Sequence, residues 1–197
     1  MKIIFIRHGM TKGNEEKRYT GRTDESLSAA GRKQIEKMAG SGIYPEAGKI
    51  ISSPMKRCVE TAEIIYPGKN IEICNELSEC DFGRFENMNY AELNGNAEYQ
   101  KWIDSCGMMP FPGGESRSEF IERSVRGFEM QIGKLKSEKA ESAAFIVHGG
   151  TIMSVMSRLE CTGKDYFQWQ TGNGSCIICS FTDGILKAEE IIDGNIY

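Results

Sequence analysis

Four short apolar runs, each followed by a break and then a stretch of mixed or helical character, constrain this chain more than any other feature. Residues 2–6, 49–52, 71–74 and 143–147 are short, continuously apolar or nearly so, and stop abruptly at polar or glycine-rich positions. That pattern predicts strands buried on both faces. Helices are predicted over 27–38, with Ser28 as N-cap and Leu27, Ile35 and Met38 inward, over 55–66 with Pro54 in its first turn, over 115–139, and over 151–159. In the longest of these, Val125, Phe128, Ile132 and Leu135 recur on one face. Residues 175–182 and 185–192 flank Asp183-Gly184, a two-residue hairpin signal. The alternation predicts a single α/β domain over 1–197. Its mainly parallel central sheet is sandwiched between helical layers, α/β/α, with an antiparallel hairpin near the C-terminus.

With 40% hydrophobic and 26% charged residues, the chain can bury a core without resembling a disordered or membrane protein. Its first apolar run is too short for a secretion signal or a membrane span, so a soluble, cytoplasmic protein is expected. A net charge of −4 argues against nucleic acid as a partner. Residues 1–33 nevertheless hold eight Lys or Arg against four acids, so that segment is +4 and the remainder −8. Such a segment suits a small anionic ligand, or is simply a solvated face. Seven cysteines, an odd number, argue for reduced thiols rather than a disulfide framework. Cys176 and Cys179 form a C-x-x-C pair, but within an apolar strand and with only two histidines in the chain, so packed thiols are expected and no metal.

Those two histidines, His8 and His148, both follow a predicted strand and both precede glycine. Ligands of parallel sheets bind at the carboxyl ends of strands, where such loops gather. Arg7 adjoins His8, and Arg57 follows the second strand within Ser52-Ser-Pro-Met-Lys-Arg57. If neighbouring strands bring these loops together, two guanidiniums and two imidazoles surround one point, an arrangement matched to phosphate.

Arg7-His8-Gly9-Met10-Thr11-Lys12-Gly13-Asn14 resembles the RHG-x-T-x-x-N signature of the histidine phosphatase, or phosphoglycerate mutase-like, superfamily. The resemblance continues through Gly21-Arg-Thr-Asp24, Leu27-Ser-Ala-Ala-Gly31, Ser52-Ser-Pro-x-x-Arg57 with Glu60-Thr-Ala62, Glu79-Cys-Asp-Phe-Gly83, Pro112-Gly-Gly-Glu-Ser116 and Val147-His-Gly-Gly150. These motifs stand in family order. The resemblance implies a phosphoglycerate mutase-like fold and His8 as a nucleophile that forms a phosphohistidine. It implies Arg7, Arg57 and His148 as the phosphate pocket and Glu79 as general acid. Thr11, Asn14, Gly21 and Gly149 match positions that line or support the pocket. No cofactor and no metal are implied.

Hydrolase is expected over mutase, because the mutase pattern has Arg-His-Tyr-Gly after the acid whereas here Cys80-Asp81-Phe82-Gly83 follows Glu79. Among hydrolases the motifs are most similar to the alpha-ribazole phosphatases of cobalamin nucleotide-loop synthesis. Phosphatases for sugar phosphates, phosphoglycerates or phosphoserine are alternatives, as are a phosphoglycerate mutase and a non-catalytic phospho-ligand binding protein. Met10, Met153 and Cys80 depart from the family pattern. Residues 84–114, irregular apart from short helical pieces at 90–93 and 98–103 and holding the aromatics Phe85 and Trp102, are the expected lid and substrate-selectivity region. Pro112-Gly-Gly-Glu-Ser116 is either a loop running into an N-capped helix or a border of the pocket that reads the leaving group. The expected partner is a small-molecule phosphomonoester; a homodimer is left open.

Overall fold

The computed structural model describes residues 1–194. The elements run β1 (Lys2–Arg7), α1 (Lys12–Glu15), α2 (Ala29–Gly40), β2 (Lys49–Ser52), α3 (Lys56–Ile65), β3 (Ile71–Ile73), α4 (Ala97–Asp104), α5 (Arg117–Ser137), β4 (Ser142–Val147), α6 (Gly149–Leu159), β5 (Cys176–Thr182) and β6 (Ile185–Ile192). Short 3-10 turns at Asn75–Leu77, Gly83–Phe85 and Tyr166–Trp169 complete them. The six strands lie in the order β3-β2-β4-β1-β5-β6. β1, β2, β3 and β4 pair in parallel, and β5 and β6 are antiparallel additions on the β1 side. The expected α/β architecture is the one observed.

The strand pleat explains why the central runs are apolar throughout. Ile3 and Phe5 of β1 join one core with Phe145 of β4 and Phe128, Ile132, Ile152 and Val155 of α5 and α6. Ile4 and Ile6 join the other with Ile146, Met38 of α2 and Cys58 and Ala62 of α3. Side chains alternate across a strand, so each face needs its own apolar set. The same alternation sends Cys176 to one core and Cys179 to the other, and burial pushes both thiols up to about 12. All seven cysteines are free.

Ser28 caps α2 through the Gly31 N–H, as expected, and Asp183 and Gly184 make the hairpin with φ of 51° and 85°. Four local expectations are corrected. Pro54 precedes the α3 N-cap Met55 rather than entering the helix. Residues 90–93 form turns, not helix. Val125 is only half-buried; the inward face of α5 instead includes Ser124 and Gly127, where an added Cβ would lie 2.6 Å from Cβ of Glu76. Gly149 and Gly150 are no loop: they form the first turn of α6 behind the N-cap His148. Among the described residues, no helix is long and apolar enough to cross a membrane.

Candidate active site

Because β2, β4 and β1 are parallel neighbours, their carboxyl ends lie side by side. His8 follows β1, His148 follows β4, and Arg57 stands in the first turn of α3 after β2. The two imidazole rings are 5.2 Å apart. Both histidines are buried, and burial followed by the nearby Arg57 charge holds both well below the usual imidazole range. His8 Nδ1 lies 2.7 Å from the Gly9 carbonyl oxygen. A carbonyl only accepts, so Nδ1 carries the proton and the neutral ring keeps its lone pair on Nε2.

His148 is oriented from both sides. Arg57 Nε donates to its Nδ1 at 3.4 Å, so Nε2–H donates to Ser53 Oγ at 2.7 Å. Arg57 is itself fully buried, and its terminal nitrogens donate to the carbonyls of Thr23 (2.8 Å), Thr20 (3.3 Å) and Gly21 (2.8 Å). Four of its five N–H groups are therefore held by protein. Arg7 donates through Nη1 to the Thr171 carbonyl, while its Nε is buried without a partner among the described residues. Its guanidinium lies against Gly149, where an added Cβ would sit 3.3 Å from Cζ.

Glu79 faces this group. Its carboxylate accepts from the N–H of Cys80 at 2.9 Å and of Gly150 at 3.2 Å. Removal from bulk water raises it above the ordinary carboxylate range, against the pull of those N–H groups and of Arg57 and Arg7. A Cβ at 150 would stand 2.3 Å from Glu79 Oε1 and 2.8 Å from a Phe120 ring carbon, so glycine there lets the carboxyl keep its place.

The remaining expected residues act from behind. Thr11 and Asn14 form a capping box, with the Asn14 N–H donating to Thr11 Oγ1 at 3.2 Å and the Thr11 N–H to Asn14 Oδ1 at 3.1 Å. Asn14 is linked to His8 through Asn173, whose Nδ2 donates to Asn14 Oδ1 and to the His8 carbonyl, both at 3.1 Å. Gly21 holds Arg57 by its carbonyl and is pressed against Cys80, with a Cβ position 1.9 Å from the Cys80 oxygen. Ser53, Thr61 and Gly150 lay within the quoted motifs without an assigned role; Thr61 Oγ1 accepts from the Gly9 N–H at 3.0 Å. Asn173 and Thr171 had no local signal. Half of the eight basic residues of the N-terminal segment are paired near the surface: Lys12, Arg18, Arg22 and Arg32 meet Glu16, Glu92, Asp81 and Glu60.

Above the floor of Arg7, Glu79, Gly149 and Gly150 opens a cleft of about 430 Å³. Residues 84–114 supply one wall with Trp102, Gly107 and Phe111, and 166–170 supply the opposite one. Of the two aromatics expected in the lid region, Trp102 lines the cleft, whereas Phe85 is buried beneath the wall, in a cluster with Tyr99, Trp102 and Phe111.

A fold with two strand-end histidines, buried arginines and a facing carboxyl defines a phosphoryl-transfer class, and sequence comparison agrees. The sequence profile of the histidine phosphatase superfamily (branch 1) matches residues 3–193, and the chain belongs to that family. It is 32% identical over 138 residues to phosphoserine phosphatase 1 of Hydrogenobacter thermophilus, a match covering 68% of this chain and 65% of that protein. A bifunctional protein of Mycobacterium tuberculosis is 30% identical over 133 residues, and the match spans 64% of this chain but only 36% of that protein. Among solved structures, a phosphoglycerate mutase of Thermus thermophilus superposes with a TM-score of 0.72 at 30% identity, over 98% of both chains. The alpha-ribazole phosphatase of Shigella flexneri has a TM-score of 0.84 at 20% identity, over 98% of this chain and 97% of that one, a likeness of fold.

Proposed function

We propose that the chain is a phosphomonoester hydrolase working through a phosphohistidine on His8. The observation that carries this reading is the fixed His8 tautomer, with its lone pair on Nε2 and Arg7, Arg57, His148 and Glu79 around it. Nε2 attacks phosphorus, the bond to the ester oxygen breaks, and Glu79 gives its proton to the departing alcohol. Water then attacks the phosphohistidine and loses a proton to the Glu79 carboxylate. The P–N bond breaks, phosphate leaves and neutral His8 returns. Arg7, with one buried N–H lacking an acceptor among the described residues, and the remaining Arg57 N–H suit the phosphoryl oxygens as charge shifts onto them. This chemistry uses no metal.

For the leaving group we propose the alpha-ribazole of alpha-ribazole 5′-phosphate, which places the enzyme in cobalamin nucleotide-loop synthesis. The cleft favours it over phosphoserine in two ways. Its walls include Phe82, Trp102, Phe111, Phe120, Tyr166 and Phe167, suited to a planar ring. Among its described lining residues the only carboxylate is Glu79, so the ammonium of phosphoserine lacks an acidic partner. The free thiols fit a reducing cytoplasm.

The experiment is phosphate release in excess EDTA from alpha-ribazole 5′-phosphate, phosphoserine, 3-phosphoglycerate, sugar phosphates and p-nitrophenyl phosphate, with acid-quench trapping of phosphoprotein. Fastest release from the ribazole ester is expected. Faster turnover of phosphoserine would overturn the substrate, and neither release nor trapped phosphate would overturn the hydrolase. A mutase is the second reading, favoured by the 30% identity to the Thermus structure. It would interconvert phosphoglycerates in the same panel.

A further inference from the structure

The ion pair of Arg123 and Glu115 touches none of the reacting groups, yet it encloses the loop that carries Glu79. Arg123, in the second turn of α5, donates through Nη1 to the carbonyls of Glu76 (2.8 Å) and Ser78 (3.0 Å) and through Nη2 to that of Glu79 (3.1 Å). Its Nε and Nη2 also donate to the two carboxylate oxygens of Glu115, each at 2.7 Å. Glu115 Oε2 in turn accepts from the Asp81 N–H at 2.9 Å, and the Glu115 N–H donates to the Asp81 carbonyl at 2.9 Å. The main chain is thus gripped on both sides of Glu79.

Close packing leaves the loop little room to shift. An added Cβ at Gly114 would lie 2.3 Å from the Asp81 oxygen, and one at Gly83 (φ 52°) 2.3 Å from the Pro112 oxygen. The pair is mostly buried, and the Arg123 guanidinium lies 5.2 Å over the Phe120 ring, itself part of the cleft wall. An exposed ion pair contributes little; a fork with three carbonyls and a carboxylate is a positional device.

We propose that Glu115 and Arg123 are positioning residues for Glu79, fixing residues 76–81 so that its carboxyl stays aimed at the departing ester oxygen. This rests on Glu79 being the general acid. It gives the Pro112-Gly-Gly-Glu-Ser116 motif a role: Ser116 starts α5 while Glu115 reaches back to the acid loop. A displacement of about 1 Å at such a group is enough to impair proton transfer.

The test compares two esters, because a poor leaving group needs the acid and a good one does not. kcat/KM reports the step in which the ester oxygen leaves, so it is measured for glycerol 3-phosphate and for p-nitrophenyl phosphate. In Glu115→Gln and Arg123→Lys the loss with the alkyl ester is expected to exceed the loss with the aryl ester by about tenfold or more. The basic limb of the pH profile also moves to lower pH in Glu115→Gln, since Arg123 is left uncompensated. The other titratable groups that act on that carboxyl, Arg7, Arg57, Cys58, Cys80 and Tyr166, are unchanged. Equal losses for both esters with an unmoved basic limb would overturn the proposal and leave a structural ion pair. Glu79→Gln is the reference: if it lacks the leaving-group dependence, the acid assignment fails and the proposal falls with it. If it has the dependence and the clamp variants do not, only the clamp fails. Glu115→Asp, too short to span both partners, replaces Glu115→Gln if circular dichroism shows the latter misfolded.

Discussion

Beneath the floor of the cleft, and belonging to the same region, Arg57 spends four N–H groups on protein acceptors and both ring nitrogens of His148 are engaged. In the aromatic wall, which serves as the roof over this floor, Trp102 and Phe111 stack with centroids 4.8 Å apart, while the indole N–H is buried without a partner among the described residues. The first region is held by directional bonds among buried charges, the second by ring packing that tolerates several arrangements. Substitutions at the floor should therefore alter the chemistry, and substitutions at the roof should alter which ester is chosen.

The largest effect is expected from His8→Ala. Turnover should fall about ten-thousandfold or more, with the acid-labile phosphoprotein lost and the circular dichroism spectrum kept. Substantial residual phosphate release would break the assignment of the floor to chemistry.

Next comes Glu79→Gln, expected to cost about a hundredfold to ten-thousandfold. In the parent enzyme His8 must be neutral and Glu79 protonated for the first step. His8 titrates well below 6.5 and Glu79 above 4.5, so kcat/KM should follow a bell with its acid limb below pH 6.5 and its basic limb above pH 4.5. The variant should lose the basic limb. A profile unchanged in shape would show that the limb belongs to another group.

The same contrast explains what was legible in the sequence. Strand ends are visible as apolar runs that stop, so the sequence alone puts Arg7, His8, His148 and Arg57 at or just beyond the carboxyl ends of strands. Ser53, Thr61 and Gly150 serve through one bond or one close approach, which leaves no periodic or charge signal. Thr11 and Asn14 were visible, but the relay that ties Asn14 to the His8 loop through Asn173 depends on a contact across 159 residues of chain. Val125 was misplaced because apolar spacing ignores how closely two elements approach; Gly127 lets α5 sit against Glu76, and Ser124 and Gly127, not Val125, join Phe128, Ile132 and Leu135 on the buried face. At the roof the aromatics were countable, but packing alone decided that Phe85 supports the wall while Trp102 faces the cleft.

Floor and roof should also part on acidification. Both histidines are neutral in the fold but take up protons near pH 6.5 once unfolded, so unfolding binds protons below that pH. Stability should fall as pH drops below 6.5, by about 1.4 kcal/mol per pH unit for each histidine well below it. Glu79, raised in the fold, works in the opposite sense and partly offsets this. Chemical denaturation at pH 7.5, 6 and 5 measures the slope, and His8→Ala should remove about half of the histidine share. An unchanged slope in that variant would mean that His8 is protonated in the fold.

The smallest effect is expected at the mouth of the cleft. Phe167 is 60% exposed, so its loss should leave stability nearly unchanged. Its ring nevertheless lies 4.9 Å beneath the Arg117 guanidinium and meets Tyr166 edge-on at 5.2 Å. Among the described residues Arg117 has no carboxylate partner, and Phe167 and Tyr166 steady it at the rim together with the Cys106 carbonyl, to which it donates at 3.0 Å. Phe167→Ala should raise KM for an aromatic ester about two- to tenfold, the worth of one ring contact, while leaving kcat alone. Glycerol 3-phosphate, which has no ring to stack, should be unaffected. An equal rise for both esters would mean that the rim steers the phosphate itself, and the division between a floor that reacts and a roof that selects would no longer hold.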